Sequence, residues 1–434
     1  MNHRQNKANT QTFGKLLIFR RMIDFPFSRI VIIFAFFAVV CSGPRQAGET
    51  GKGMAWIGTW TTAPQLVEPY NKPPEPGLSG NTLRQVVHVS LGGERLRVKF
   101  SNQYGSSPVT MRSVHVAVSK GGGAIDTDTD MALQFDGLPA VTMPPGTGAV
   151  SDPISFFLKP GSDVAITVYF GETSPDVTGH PGSRTTSFLL PGNEVSAADF
   201  TGSVETDHWY IITGIDVIAP EKAAAVVVLG NSITDGRGSG TNKQNRWPDE
   251  LARRLRKNPA INHVAVLNQG IGGNCVLRDC LGPAALTRFE RDVIEQPGAR
   301  WLIILEGIND IGQAGGEASS SAVAAALIAA YGQMIDRAHE AGLCVYGATL
   351  LPFGGSFYDS PSHETARKTV NDWIRESGRF DAVIDLEAAL SNPGNPSQLL
   401  PAADTGDQIH PNETGHRMMA EAVDLTLFEG DGCP

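Results

Sequence analysis

At about residue 221 the hydrophobic period of this 434-residue chain changes, and the change limits the architectures open to it. Before that point apolar and polar residues alternate. Leu96-Arg97-Val98-Lys99-Phe100 does so strictly, the period-2 pattern of a strand with one buried face. Residues 114–118 and 164–170 read as further strands, as does the β-branched run 83–91, which Gly92-Gly93 turns. Residues 209–212 end the set. No long helical period intervenes, so residues 54–216 are expected to form an antiparallel β-sandwich of jelly-roll type. From residue 221 the texture is different. Residues 223–229 are unbroken apolar, as a parallel strand covered on both faces requires. Similar runs recur at 263–267, 301–305, 343–349 and 380–384, alternating with helical segments at 247–256, 284–294, 320–341, 364–376 and 413–427. That alternation predicts a doubly wound α/β domain over residues 221–430.

The first 42 residues read as an export signal. Residues 30–41 are twelve apolar residues without a break, too few to span a bilayer and about right for a signal-peptide core. Lys15, Arg20, Arg21 and Arg29 precede the run; Ser42, Gly43 and Ala47 follow it. Met22 is an alternative start, and Cys41 is a lipidation candidate disfavoured by the bulky Val40 before it. Residues 43–53 would be a linker. Secretion or a periplasmic location is the expectation, with no stable membrane insertion once the signal is removed.

Charge narrows the partners. Beyond residue 42 the chain holds 29 Lys/Arg against 44 Asp/Glu, a net −15. Nucleic acid and anionic membranes are poor partners for such a surface. Export also opens the oxidised state to the cysteines. Cys275 and Cys280, spaced C-x4-C, form a possible disulfide. Cys344 lies in an apolar run, and its pairing with Cys433 is open.

In doubly wound sheets, ligands bind past the C-terminal ends of the strands. Four such ends carry polar residues here. Gly230-Asn231-Ser232-Ile233-Thr234-Asp235-Gly236 follows the first strand and Asn268-Gln269-Gly270-Ile271-Gly272-Gly273-Asn274 the second. Glu306-Gly307-Ile308-Asn309-Asp310 follows the third, and Asp407-Gln408-Ile409-His410-Pro411 comes after the fifth. A serine hydroxyl needs a base within reach, and a histidine base needs a carboxylate to hold its tautomer. Ser232, His410 and Asp407 supply that set. A loop glycine and the Asn309 amide supply donors for an oxyanion.

In these four blocks the chain resembles the SGNH hydrolases, the GDSL lipase/esterase family, over roughly residues 222–429. The resemblance implies that Ser232 is the nucleophile and that Asp407 and His410 complete a catalytic triad. It also implies an oxyanion hole of Ser232 N–H, Gly273 N–H and the Asn309 side chain, with Gly272 a less favoured alternative to Gly273. Trp56-Ile57-Gly58-Thr59-Trp60 and the β-rich half look like the domain preceding this module in a bacterial subset, some of whose members are linked to xylan-degrading systems. Two features depart from the family pattern: Asn231 stands where an Asp is usual, and the cysteine pair follows Gly273. The implied activity is a secreted carboxylic-ester hydrolase (class EC 3.1.1) acting on short acyl esters, with acetyl groups on plant polysaccharide as the candidate substrate. Two alternatives stay open: a glycan-binding protein with a degenerate hydrolase domain, and an acyltransferase using the same site. No metal and no organic cofactor is expected. His416 reads as structural and His363 as a surface residue near a helix start, on a loop that could line the cleft.

Overall fold

The computed structural model describes residues 53–430, 432 and 433. The expected export segment, Cys41 and nearly all of the expected linker lie outside the described residues. In the first half, alternation becomes two antiparallel sheets. One runs Met54–Thr61, Ile212–Pro220, Gly93–Ser101, Ile154–Leu158; the other has Ser187–Pro191, Asn81–His88, Asp163–Phe170 and Val109–Gly121 as its central path. Leu96, Val98 and Phe100 of the first sheet and Leu83, Val87, Val114, Val116, Ile166 and Val168 of the second are buried in one core. Their spacing along each strand, by two or in Leu83 and Val87 by four, keeps them on one face, as strand geometry requires.

One boundary differs from the sequence expectation. Residues 209–212 do not end the strands. After Trp209–Tyr210 comes Ile212–Pro220, which pairs with both Met54–Thr61 and Gly93–Ser101. Its burial on both faces hides the alternation that would have marked it as a strand.

The second half holds five parallel strands: β1 (Ala224–Gly230), β2 (Val264–Gly270), β3 (Ala299–Leu305), β4 (Cys344–Ala348) and β5 (Ala382–Ile384). Their spatial order is 2-1-3-4-5, so the chain reverses direction across the sheet between β2 and β3, on either side of β1. The crevice at such a reversal lies at the C-terminal ends of the strands. Helices α1 (Ser232–Asp235), α2 (Trp247–Lys257), α3 (Ala285–Phe289), α4 (Ile308–Gly312), α5 (Glu317–Glu340), α6 (Pro361–Glu376), α7 (Leu386–Leu390) and α8 (Glu413–Glu421) connect and cover the sheet. The 284–294 segment is α-helical only to Phe289 and widens into a π-turn over Glu290–Ile294. By length and hydropathy alone α5 could cross a membrane, but its apolar face (Ala324, Leu327, Tyr331, Met334, Ile335, Ala338) is buried in the protein.

The two halves share one continuous apolar core within residues 48–434. Met54–Thr61 lies against β2 so closely that a Cβ on Gly58 would meet Leu267 at 2.9 Å. Gly58 N–H donates to Pro297 O at 2.8 Å, and Ser90 Oγ accepts from Val266 N at 3.1 Å. A small sheet of Gln65–Leu66, Thr178–His180 and Trp209–Tyr210 brings His180 onto α1, where its Nε2 meets Asp235 Oδ1 at 2.8 Å with both side chains buried.

Because the core is shared, unfolding should be a single cooperative event. Denaturant melts followed by one probe in each half should coincide; separate midpoints would mean that the halves are independent.

Candidate functional site

Ser232 opens α1, immediately after β1. Asn231 caps that turn, its Oδ1 accepting from Ile233 N at 3.1 Å. The turn sits directly on the end of β2: a Cβ on Gly270 would lie 2.2 Å from Asp235 N, so only glycine fits there. The Ser232 hydroxyl lies 2.8 Å from His410 Nε2, across 178 residues of sequence. His410 Nδ1 lies 2.6 Å from Asp407 Oδ2, and Asp407 Oδ1 accepts from the backbone N–H groups of Ile409 and His410. A carboxylate only accepts, so the Nδ1 proton points at Asp407 and Nε2 is left to receive the serine proton.

The electrostatics match that arrangement. Burial would raise the Asp407 carboxyl, but its bonds to His410 and Ile409 outweigh burial and hold it at about 2. Burial lowers the His410 imidazole below its ordinary value, Asp407 offsets part of this, and the positive charges of Arg237 and Arg184 lower it further. His410 is thus a neutral base at neutral pH.

Asn309, on the first turn of α4, is buried. Its Nδ2 donates to Asn274 O at 2.7 Å and its Oδ1 accepts from Tyr358 Oη at 3.1 Å, which leaves the second Nδ2 proton uncommitted. Gly273 has φ +68°, a left-handed conformation suited to glycine. The N–H groups of Gly273 and Ser232 make no hydrogen bond among the described residues. The loop after Gly273 carries the Cys275–Cys280 disulfide, and the Asp310 carboxylate accepts from Val276 N and Leu277 N at 2.9 and 3.0 Å. A second disulfide, Cys344–Cys433, closes a separation of 89 residues and ties the C-terminal tail to β4.

A family model described as GDSL-like lipase/acylhydrolase matches residues 228–418, a span that takes in all of these groups. The chain carries a GDSL-like lipase/acylhydrolase domain. Among solved structures, an acetylxylan esterase from Geobacillus stearothermophilus is similar at 22% identity, covering 46% of this chain and 93% of its own, with a TM-score of 0.35. A GDSL-like lipase from Bacteroides thetaiotaomicron matches at 18% identity, 47% and 87% coverage and a TM-score of 0.35. An α/β hydrolase from the metagenome of Lake Arreo matches at 19% identity, 46% and 94% coverage and a TM-score of 0.34. No curated protein matches.

Several residues of this GDSL-like site were missed in the sequence. Glu306 is completely buried behind the Ser232 turn, its Oε2 3.3 Å from both Asn231 Nδ2 and Gly307 N and its Oε1 3.5 Å from Arg288. Asn231 therefore donates to a buried carboxyl, where an Asp would set two acids side by side. Burial raises Glu306 to about 8; Asp310 adds to the rise, while Arg288, Asn231 and Gly307 oppose it. Burial raises Asp310 as well. Tyr358 is the second omission. Its ring lies flat on Gly312, where a Cβ would come within 2.2 Å of it, and its hydroxyl fixes which way the Asn309 amide faces.

His363 is not a surface residue: it is buried at the start of α6, its Nδ1 2.7 Å from Tyr358 O and its Nε2 3.0 Å from Ala314 O. It pins the Tyr358 loop, a task with no sequence signal. His416, read from the sequence as structural, is buried. Its Nδ1 accepts from Trp247 N, and burial lowers it to about 4. Among the described residues no group of His, Cys, Asp and Glu is placed to hold a metal ion.

Tyr358→Phe keeps the ring over Gly312 and removes one hydrogen bond of about 0.5–1.5 kcal/mol. Turnover should fall about 3- to 10-fold with KM little changed; a lowered melting point with intact turnover would make the hydroxyl merely structural. Glu306 holds its proton in the folded state up to about pH 8 but in the unfolded chain only to about 4.5. The folded state binds more protons between those limits, so stability falls as pH rises across them. Glu306→Gln should flatten the fall in melting temperature over that window, and an unchanged slope would exclude Glu306 as its source.

Proposed function

We propose that this protein is an exported serine ester hydrolase that removes short acyl groups, acetyl foremost, from a carbohydrate alcohol. The observation that carries the reading is the continuous chain from Asp407 through His410 to Ser232, at 2.6 and 2.8 Å. In this mechanism Ser232 Oγ attacks the ester carbonyl as its proton passes to His410 Nε2. The carbonyl oxygen gains a negative charge and is met by Ser232 N–H, Gly273 N–H and the free Asn309 Nδ2 proton. The tetrahedral intermediate collapses, the bond to the alcohol oxygen breaks, and His410 gives that oxygen its proton. Water then attacks the acyl-serine with His410 again as base. Asp407 stays ionised throughout and steadies the imidazolium.

Export is supported by the two disulfides, which belong to oxidising compartments. The acidic balance of the chain favours a dispersed polar substrate over an anionic lipid surface.

The β-rich half, residues 54–216, is read as a wall of the cleft built around a catalytic half at 221–430. Its loop at 183–186 is bonded to the segment that follows Ser232: Asn242 N donates to Arg184 O at 3.0 Å and Thr186 N to Asn242 Oδ1 at 2.8 Å. A pocket of about 410 Å³ is lined by Leu66, Val67, Pro69 and Tyr104 of this half and by Cys280 and Leu281 of the loop after Gly273.

Ser232→Ala should reduce kcat on p-nitrophenyl acetate by about 10³-fold or more. In the intact enzyme the acid limb of kcat/KM should fall below 6.5, the ordinary histidine value, because His410 must be neutral to act and its imidazole is lowered. Equal rates in both proteins, or none in either, would overturn the assignment.

A further inference from the structure

Two guanidinium groups whose charges reach His410 have no partner among the described residues. Arg237 follows the nucleophile turn, its N–H donating to Ser232 O at 2.8 Å and its carbonyl accepting from His416 Nε2 at 3.1 Å. The next residue, Gly238, passes so close to the His410 loop that a Cβ would lie 2.0 Å from Pro411 O. Arg237 is therefore clamped between the serine turn and the histidine loop, with its side chain exposed.

Arg184 arrives from the β-rich half. Its backbone is held at φ +51°, a left-handed conformation uncommon for a residue with a side chain. Arg246 donates to Ser183 O on one side of it, and Asn242 N bonds its own carbonyl. Its Nε is buried and unpartnered. Neither arginine side chain makes a hydrogen bond or ion pair among the described residues, and the charges of both act on His410.

This arrangement has a cost in the free protein. A buried donor without a partner loses the hydrogen bonds it made to water and regains none. Two cations next to a base that must itself become a cation also oppose the reaction. Acidic side chains outnumber basic ones in this chain, yet among the described residues none pairs with these two. Both costs are relieved if the substrate brings the anion. His410 delivers a proton to the leaving alcohol, whereas Gly273 and Asn309 meet the carbonyl oxygen, so groups beside His410 face the alcohol portion. Guanidinium forks match a carboxylate in shape and charge. Resting on the ester-hydrolase reading, we propose that Arg184 and Arg237 form a subsite for a carboxylate on the alcohol portion of the ester, the chemistry of an acylated acidic sugar.

Three probes test this: 4-acetoxybenzoate, with the anion on the alcohol side; its neutral methyl ester; and mono-4-nitrophenyl succinate, with the anion on the acyl side. After correction for their alkaline hydrolysis rates, kcat/KM for 4-acetoxybenzoate should exceed that for the methyl ester by about tenfold or more, the scale of one charge-assisted bidentate contact. R237Q and R184Q should each bring the ratio towards one, and R237K should restore part of it. Arg237 is exposed, so R237Q decides the matter even if R184Q fails to fold. A wild-type ratio of one or less, a ratio unchanged in R237Q, or an equal preference for the succinate would overturn the proposal. Failure of the hydrolase reading would look different: no Ser232-dependent turnover of the neutral methyl ester, which would remove the basis of this proposal as well.

Discussion

The site depends on one buried guanidinium. Arg288, on α3, is sealed from solvent behind the ends of the three central strands. It donates to Gly230 O at the end of β1, to Gln269 O at the end of β2, and to Asn274 Oδ1 in the loop beyond Gly273; Glu306, just past β3, lies 3.5 Å away. Ser232, Gly273 and Asn309 each stand a few residues beyond one of these anchors. Asp292 at 3.1 Å carries part of the counter-charge. A buried cation of this kind is tolerated only when its donors are used, and removing one partner of such a pair costs about 3–5 kcal/mol. The arginine thus ties three strand ends into one frame beneath Ser232, Gly273 and Asn309.

Around that frame, each functional atom is held by a neighbour with no chemical task of its own. Asn231 caps the serine turn and donates to Glu306 in the same pose. Tyr358 orients the Asn309 amide, and His363 holds the Tyr358 backbone. Asp310 binds two amides of the disulfide loop, so the loop carrying Gly273 is tied both by a covalent bridge and to the block that carries Asn309. Pre-organisation of this kind lets donors meet a developing charge without moving.

The β-rich half belongs to the same frame. His180 and Asp235 form a buried pair across the two halves, and His180 Nδ1 lies 2.9 Å from Ala63 O. The aromatic pair Trp60 and Trp209 packs edge to face beside it, and Arg246 stands over the Trp209 ring. Arg246 also reaches Ser183 and Thr185, which fixes the loop that carries Arg184. The antiparallel half therefore supplies both packing surface and a charged group to the α/β half.

Periodicity and local spacing carried a large share of this in the sequence itself. The switch from alternating to continuous apolar runs determined the two-part architecture, because side-chain burial follows the geometry of a strand wherever neighbours lie. The blocks holding Ser232, a loop glycine, Asn309, Asp407 and His410 were legible because a strand end, a tight turn and a three-residue spacing are local properties, whereas the choice of Gly273 came from the family resemblance. Tertiary structure alone decided the rest. It determined that Asn231 faces a buried acid, that Tyr358 rather than solvent meets Asn309, that Cys433 pairs with Cys344, and that the Arg184 carbonyl meets Asn242 N. Each of these joins residues far apart in the chain through a single contact. Such a contact leaves no periodic trace, since its energy depends on where two backbones come to rest and not on what precedes or follows either residue.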